Sequence, residues 1–186
     1  RQQIVTVAVP WLIAYAAETG KELWSADIMD GEIAPSPVFA NGCVFVAQAY
    51  AYAAAVRADG TGDVTKTHVV WKAEDGLPDT CSPVTNGELL FLCTADGLIT
   101  CYDAKTGEKA WEHETKPLMH FLASPTVVGD RVYVMSDKGV TIVFAAAREW
   151  KELARCELGE HAVASPAFLD GRIIFRGSKH LFCIGK

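Results

Sequence analysis

Residues Leu98 to Trp111 read LITCYDAKTGEKAW, and residues Trp11 to Trp24 read WLIAYAAETGKELW. The two segments share a Tyr, an Ala, a Thr-Gly pair, a charged pair and a terminal Trp in the same order. Each is a short alternating run, a polar turn and a second run that ends in Trp. This pattern predicts two antiparallel strands joined by a tight connection.

The dipeptide Ser-Pro gives the period of the repeat. It begins at Ser36, Ser82, Ser124 and Ser165, in steps of 46, 42 and 41 residues. Each copy is followed by a small turn of Asn, Asp or Gly residues and then by an apolar run. Periods of roughly 40 to 50 residues with about four strands each are typical of propeller blades.

The strands of one unit can be assigned from the second copy, which begins at Ser82. Ser-Pro-Val opens the innermost strand, where proline is tolerated because a ladder N–H is not needed. Leu89–Cys93 forms the second strand, the turn Asp96-Gly97 supplies a positive φ, and Ile99–Tyr102 forms the third. The turn Thr106-Gly107 then leads into the fourth strand, which carries the Trp.

The expected fold is therefore all-β: a partial β-propeller of four-stranded antiparallel blades, three full and two incomplete. The chain opens in a second strand, Ile4–Val9, and ends after a third strand, Leu181–Ile184. The 186 residues are expected to form one partial propeller, with blade pieces at roughly 1–30, 31–75, 76–116, 117–158 and 159–186.

Three tryptophans share one repeat position: Trp24, Trp71 and Trp111, with Leu153 expected there in the fourth blade. A common structural position predicts that these indoles pack between neighbouring blades, and Trp111→Ala should then cost about 3–5 kcal/mol of stability. The alternative, an exposed stacking platform, would need a separate explanation for each copy.

Composition excludes several classes of function. The formal net charge is -6, and the Lys and Arg residues are scattered, so the sequence predicts neither a nucleic-acid surface nor an anionic-membrane surface. The most apolar window, Ile4–Ala17, is too short to span a bilayer and contains Pro10. No membrane span is predicted.

The six cysteines are spread along the chain with no C-x-x-C pair, which excludes zinc-ribbon and thioredoxin spacings. Cys93 and Cys101 flank the turn Asp96-Gly97. A two-residue hairpin there pairs Cys93 with Thr100 and puts the two sulfurs on opposite faces. Buried free thiols are therefore expected.

The second blade is longer than the third, with 35 steps from Ser36 to Trp71 against 29 from Ser82 to Trp111. The surplus falls in the segment 50–68. Within it, Asp59 and Asp63 resemble the start of a calcium loop, but Val70 stands where the bidentate Glu belongs. A solvated turn is expected, with these two residues as a weak calcium candidate.

The segments AYAAETGKELW, SPVFANGCVFVA and CYDAKTGEKAWEHE, with ASPTVVGDRVYVMSDKG, resemble the pyrroloquinoline-quinone-like repeat, the blade unit of quinoprotein dehydrogenases. The same repeat builds the propeller lipoprotein of the outer-membrane β-barrel assembly machinery. The resemblance covers essentially the whole chain. It implies a larger propeller of seven or eight blades in an exported bacterial protein, periplasmic or extracellular.

The resemblance does not carry the quinone cofactor with it. Quinoprotein dehydrogenases hold the quinone with an adjacent cysteine pair, a tryptophan floor and a calcium ion bound by acidic and amide side chains. No two cysteines are adjacent here, and no matching acidic pair is found. No cofactor is predicted; pyrroloquinoline quinone with calcium belongs only to the alternative below.

Four polar residues precede the inner strands and are predicted to rim one mouth of the central channel. They are Glu32, Asp79, His120 and His161. Imidazoles and carboxylates there can bind a polar ligand or a metal. The competing interpretation is a wet polar loop without a ligand, because loops usually carry such residues.

The function expected from the sequence is non-catalytic: a binding or scaffolding surface for a protein or a glycan-like extracellular ligand. The alternative is part of a quinone-dependent dehydrogenase whose cofactor residues lie outside this chain. A further alternative is another enzyme that uses the channel mouth. The lateral faces of the end blades are also expected to drive self-association of the isolated chain.

Overall fold

The computed structural model describes residues 1–31, 33–117 and 119–185. These residues form β-strands and no helices. The first sheet contains β1 (Gln3–Ala8), β2 (Trp11–Ala16) and β3 (Glu22–Asp27). The second contains β4 (Val38–Ala40), β5 (Cys43–Ala47), β6 (Ala53–Arg57) and β8 (Val69–Ala73), while β7 (Gly62–Asp63) joins the first sheet.

The remaining strands form three more sheets. The third sheet contains β9 (Val84–Thr85), β10 (Leu89–Cys93), β11 (Leu98–Asp103) and β12 (Lys109–Glu114). The fourth contains β13 (Thr126–Val128), β14 (Arg131–Met135), β15 (Val140–Ala145) and β16 (Glu152–Glu157). The fifth contains β17 (Ala167–Leu169), β18 (Arg172–Arg176) and β19 (Leu181–Gly185).

This arrangement confirms the expected partial propeller. Sheets two, three and four are four-stranded antiparallel meanders, whereas the first and fifth sheets each have three consecutive strands of their own. The two hairpins that share the Thr-Gly turn, β2–β3 and β11–β12, are antiparallel pairs. The first and last sheets share no paired strand among the described residues, so the sheets do not close into a ring.

The cores lie between consecutive sheets. Trp24 of β3 is fully buried in a cluster that includes Val44, Val46 and Val56 of the second sheet. Trp71 of β8 is buried with residues of the third sheet, and Trp111 of β12 packs with residues of the fourth. Each sheet thus covers its apolar face with the side chains of the next one, which is the usual way a blade keeps its face out of water.

The indole N–H groups add a directional contact to this packing. Trp71 Nε1 donates to the carbonyl of Ala104 at 3.0 Å, and Trp111 Nε1 donates to the carbonyl of Ala147 at 2.9 Å. Both acceptors follow the third strand of the next sheet. A buried indole N–H needs such a partner, because an unmet donor there costs about 1–3 kcal/mol.

Trp24 reaches the corresponding backbone indirectly. Its Nε1 donates to Oε1 of Gln3 at 2.8 Å, and Nε2 of Gln3 donates to the carbonyl of Ala58 at 2.9 Å. Ala58 follows the third strand of the second sheet, as Ala104 does in the third. Gln3 therefore bridges a gap that the other two indoles span directly.

The assignment of Leu153 to the tryptophan position is wrong. Trp24 pairs with Ala14 and Trp111 pairs with Cys101, each next to a register shift between the third and fourth strands. In the fourth sheet the residue at that place is Ala154, while Leu153 lies at the shift and is exposed. The connection from β15 to β16 is one residue longer, so counting from Ser-Pro misplaces the register by one.

The expected register around Cys93 is also wrong. Cys93 pairs with Ile99, not Thr100, and Cys101 pairs with Phe91. The turn is therefore wider than a two-residue connection, and the two cysteines lie on the same face of the sheet. All six cysteines are free thiols in the structure. Burial raises the pKa of Cys101 to about 12, so this thiol stays protonated at neutral pH.

The extra residues of the second blade do not form only a solvated turn. They also pair with the first blade through β7, and we call this segment the clasp. All of the surplus follows Val56, because Ala47 pairs with Ala53 just as Cys93 pairs with Ile99. Strand β7 pairs in parallel with β3, and the amide of Val64 donates to the carbonyl of Ser25 at 2.8 Å. The Val64 side chain is buried in the core between the two sheets.

Replacing the most buried indole should destabilise the protein more than replacing an exposed one. We expect Trp24→Ala to lower the free energy of unfolding by about 3–5 kcal/mol, because it empties the core between the first two sheets and leaves Gln3 without its donor. The matched control Trp11→Ala, at a side chain 37% exposed, should cost less than about half of that. Chemical denaturation monitored by circular dichroism measures both. Equal losses would contradict the packing role.

Candidate functional site

One end of the sheets collects the segments that lead into the inner strands and the turns between second and third strands. The amide of Asp137 donates to the carbonyl of His120, and the amide of Ser178 donates to the carbonyl of His161, both at 2.8 Å. Asp137 and Ser178 lie in the turns after β14 and β18. The two histidines therefore occupy equivalent places in consecutive sheets, at the end that we call the mouth face.

A chain of serine contacts joins consecutive sheets just below the mouth face. The amide of Ser36 donates to Oγ of Ser82 at 2.9 Å, and the amide of Ser82 donates to Oγ of Ser124 at 3.0 Å. Oγ of Ser165 donates to the carbonyl of Ser124 at 3.1 Å. The serines that mark the period in the sequence thus hold the starts of the inner strands in a fixed spacing.

Two of the predicted site residues, Asp79 and His161, line different clefts of the mouth face. Nδ1 of His120 is 3.6 Å from Oδ2 of Asp137. His161 is exposed and lines a shallow cleft of about 300 Å³ with Arg176. Asp79 lines a larger cleft near the second sheet. Glu32 lies outside the described residues.

The structure therefore brings Asp79, His120 and His161 to one end of the molecule but does not gather them around one point. No group of three or more His, Cys, Asp or Glu side chains suited to a metal ion occurs among residues 1–31, 33–117 and 119–185. The buried Oδ1 of Asp137 accepts no hydrogen bond from any of the described residues.

The weak calcium candidates have protein partners instead. Oδ1 of Asp63 accepts hydrogen bonds from the amide and the hydroxyl of Thr65, at 2.9 and 2.6 Å, and these bonds lower the pKa of that carboxyl. Oδ1 of Asp59 lies 3.4 Å from Nε2 of His68 and 3.6 Å from Nε of Arg57. Asp63 thus caps the turn that aligns β7 with β3.

A second cleft of the mouth face, which we call the Tyr50 cleft, has a volume of about 820 Å³. Three connections line it: the one from β3 to β4, the turn between β5 and β6, and the one from β8 to β9. Its lining residues are Asp30, Gly31, Ile33, Ala34, Ala49, Tyr50, Ala51, Asp79 and Thr80.

A buried amide side chain fixes one wall of the Tyr50 cleft. Gln48 is fully buried. Its Oε1 accepts from the amide of Asp30 at 2.6 Å, and its Nε2 donates to the carbonyl of Ile28 at 3.1 Å. The hydroxyl of Tyr52 donates to the same carbonyl. The connection from β3 to β4 is therefore held to the adjacent turn of the second sheet.

Tyr50 forms the rim of this cleft and is the residue that the sequence did not single out. Its side chain is fully exposed, and its φ of 61° lies in the left-handed region that non-glycine residues rarely adopt. The turns of the third and fourth sheets place Gly97 and Gly139 in that region instead. The sequence feature from which this residue could have been identified is a tyrosine in a turn, flanked by alanines.

The described residues include no helix that is long and apolar enough to cross a membrane.

Comparison with known proteins agrees with the fold. The family model described as "Outer membrane protein assembly factor BamB" matches residues 2–80 and 61–184. No curated protein sequence matches this chain.

Three solved structures share the architecture. BamB from Moraxella catarrhalis is 19% identical with a TM-score of 0.72, and the match covers 98% of this chain and 54% of that one. The computationally designed protein Ika8 is 11% identical with a TM-score of 0.73, covering 98% of this chain and 57% of that one. Quinohemoprotein alcohol dehydrogenase ADHIIG from Pseudomonas putida HK5 is 15% identical with a TM-score of 0.62, covering 82% and 29%. The chain thus spans about half the length of the first two structures.

The sheets, the repeat and these likenesses define a β-propeller built from pyrroloquinoline-quinone-like repeats. Within that class the chain belongs to the family of the outer membrane protein assembly factor BamB, whose model covers nearly all of its residues.

Removing the Gln48 amide should loosen the wall of the Tyr50 cleft. We expect Gln48→Leu to lower the free energy of unfolding by about 1–3 kcal/mol, because the Asp30 amide loses its acceptor and the Ile28 carbonyl keeps only the Tyr52 hydroxyl as a donor. Hydrogen exchange at the Asp30 amide should accelerate. The control Gln2→Leu, at an exposed side chain, should leave both quantities unchanged within about 0.5 kcal/mol. An unaltered exchange rate at Asp30 would contradict the role of Gln48.

Proposed function

We propose that this chain is part of a non-catalytic binding or scaffolding propeller of the bacterial envelope, and that its mouth face contacts a protein partner or a glycan-like ligand. The family match supports this proposal, since the family model carries the name of an assembly factor. A periplasmic location follows from the same likeness, as does a role in holding other proteins together.

The proposal is carried by two properties of the mouth face: its connections are held in place, and some of its polar side chains are unpaired. Its connections are fixed by backbone hydrogen bonds between turns, as at His120 and His161. The His161 and Asp79 side chains are exposed there and form neither an ion pair nor a hydrogen bond among the described residues. A rigid surface with free polar groups binds at a lower entropic cost than a mobile one.

A site-specific crosslink can locate the partner. With p-benzoylphenylalanine placed at His120 or at His161, light should give adducts with envelope proteins, because both positions lie on the mouth face. The same residue placed at Lys105, an exposed position in the turn between β11 and β12 at the opposite end, should give few. Mass spectrometry of the adducts from envelope extract identifies the partner. Equal yields from both ends would refute a mouth-face partner.

A quinone-dependent dehydrogenase is the alternative, and the structural likeness to a quinohemoprotein alcohol dehydrogenase is what favours it. The described residues do not fit the cofactor, since they offer no adjacent cysteines and no cluster of calcium-binding side chains. In that alternative the cofactor residues lie outside this chain. The full-length protein supplied with pyrroloquinoline quinone and calcium would then reduce an electron-accepting dye.

We also propose that the isolated chain self-associates through its end sheets. The exposed apolar residues there include Ile4 of β1 and, in the fifth sheet, Leu169, Leu181 and Ile184. Neighbouring sheets elsewhere in the molecule bury the corresponding faces, and exposed apolar patches with free strand edges favour association.

Sedimentation velocity should therefore show a mass that rises with protein concentration. Leu181→Lys should shift the distribution toward the monomer, because it places a charge on the exposed strand β19. Val70→Lys adds the same charge at an exposed residue of the second sheet and should have no such effect. A wild-type chain that remains monomeric at high concentration would contradict the proposal.

A further inference from the structure

The rim of the Tyr50 cleft carries an aromatic ring without an intramolecular partner. The Tyr50 side chain is fully exposed, and it makes no hydrogen bond or ring contact among the described residues. Its backbone adopts a left-handed conformation that costs roughly 1 kcal/mol or more for a non-glycine residue. Packing within the chain does not offset that cost, so the exposed ring is explained better by an external contact.

Two acidic residues from different connections line the same cleft. Asp30 precedes the second sheet, and Asp79 precedes the third. Their side chains form no ion pair and accept no hydrogen bond within residues 1–31, 33–117 and 119–185. Carboxylates can only accept hydrogen bonds, so a group that donates hydrogen bonds and carries positive charge is their complement.

Hydrogen bonds within the chain hold one wall of the cleft. The Gln48 side chain and the Tyr52 hydroxyl hold the connection that carries Asp30. Farther back, the amides of Ile28 and Met29 both donate to the carbonyl of Pro10, at 3.1 and 2.9 Å. A ligand therefore meets a preformed wall and does not have to order the connection.

The same sheet already uses a cation against an aromatic ring. Nζ of Lys72 lies 3.7 Å from the centroid of the Tyr52 ring. Such contacts contribute about 0.5–1 kcal/mol at exposed sites and more where water is displaced. In the Tyr50 cleft, Ile33 and Ala34 add an apolar wall along which the aliphatic stem of a long cationic side chain can lie.

We propose that the Tyr50 cleft binds an arginine or lysine side chain from an extended segment of a protein partner. The cationic head lies between the Asp30 and Asp79 carboxylates, and its stem or plane packs on the Tyr50 ring. The net charge of -6 attracts such a segment at long range. This inference rests on the proposed binding function and names the chemistry of the partner at one place on the mouth face.

The test uses a capped heptapeptide of alternating glycine and arginine, titrated into the whole chain and followed by backbone amide NMR shifts. A peptide with citrulline in place of arginine has nearly the same shape without the charge. We expect the arginine peptide to shift amides near residues 30, 50 and 79, with saturation, and to bind about tenfold more tightly than the citrulline peptide. The affinity should fall as the salt concentration rises.

Three variants assign the contacts. The double variant Asp30→Asn with Asp79→Asn should weaken the arginine peptide about tenfold, and Tyr50→Asn should weaken it about threefold. Asn tolerates the left-handed backbone, so the second variant removes the ring without adding strain. Asp170→Asn, in the exposed turn between β17 and β18 at the opposite end, makes the same kind of charge change and should have no effect.

Equal affinity for the two peptides, or unchanged affinity in the double variant, would overturn the inference. Neither result touches the proposed function, because crosslinking from His120 and His161 measures that separately and away from this cleft. Conversely, specific peptide binding without mouth-face crosslinks would support the cleft while removing the scaffolding role.

Discussion

Each sheet in this protein depends on its neighbour to bury the apolar side chains of one face. A single four-stranded sheet of this length has two faces and cannot bury both by itself. Trp24, Trp71 and Trp111 each pack against apolar residues of the next sheet. The indole N–H groups of Trp71 and Trp111 also donate to that sheet directly, whereas that of Trp24 reaches it through Gln3. Stability is therefore a property of adjacent pairs of sheets, as in other repeat architectures. The clasp formed by β7 strengthens the first pair in the same way, through backbone pairing and the buried Val64.

The mouth face follows from this dependence. Because the sheets stack at a fixed spacing, the segments before their inner strands converge at one end and share hydrogen bonds with the adjacent turns. His120 and His161 occupy equivalent places there, and the Tyr50 cleft opens where two such segments meet the turn between β5 and β6. The exposed acids and the exposed ring at this end are the features on which the proposed binding role rests.

Repeat spacing predicted the fold well but predicted registers poorly. The period of Ser-Pro and the Thr-Gly hairpins identified the sheets and their strand order. The fourth-sheet position was misplaced at Leu153 because one extra residue in the preceding connection changes which residue meets the partner strand. Similarly, the pairing of Cys93 depends on the width of its turn, which local composition does not fix. A repeat of about forty residues cannot reveal a register error of one residue, yet such an error moves a side chain to the opposite face of the sheet.

The sequence by itself determined the architecture, because apolar alternation, turn residues and the recurring Trp act locally and repeat along the chain. It also placed Asp79, His120 and His161 at a common end. Only the tertiary structure decided that Asp79 and His161 line different clefts, that Gln48 is buried and that Tyr50 stands exposed in the same cleft as Asp30 and Asp79. The physical reason is distance along the chain: the cleft joins connections from three successive blades, and their relative positions follow from how the sheets pack.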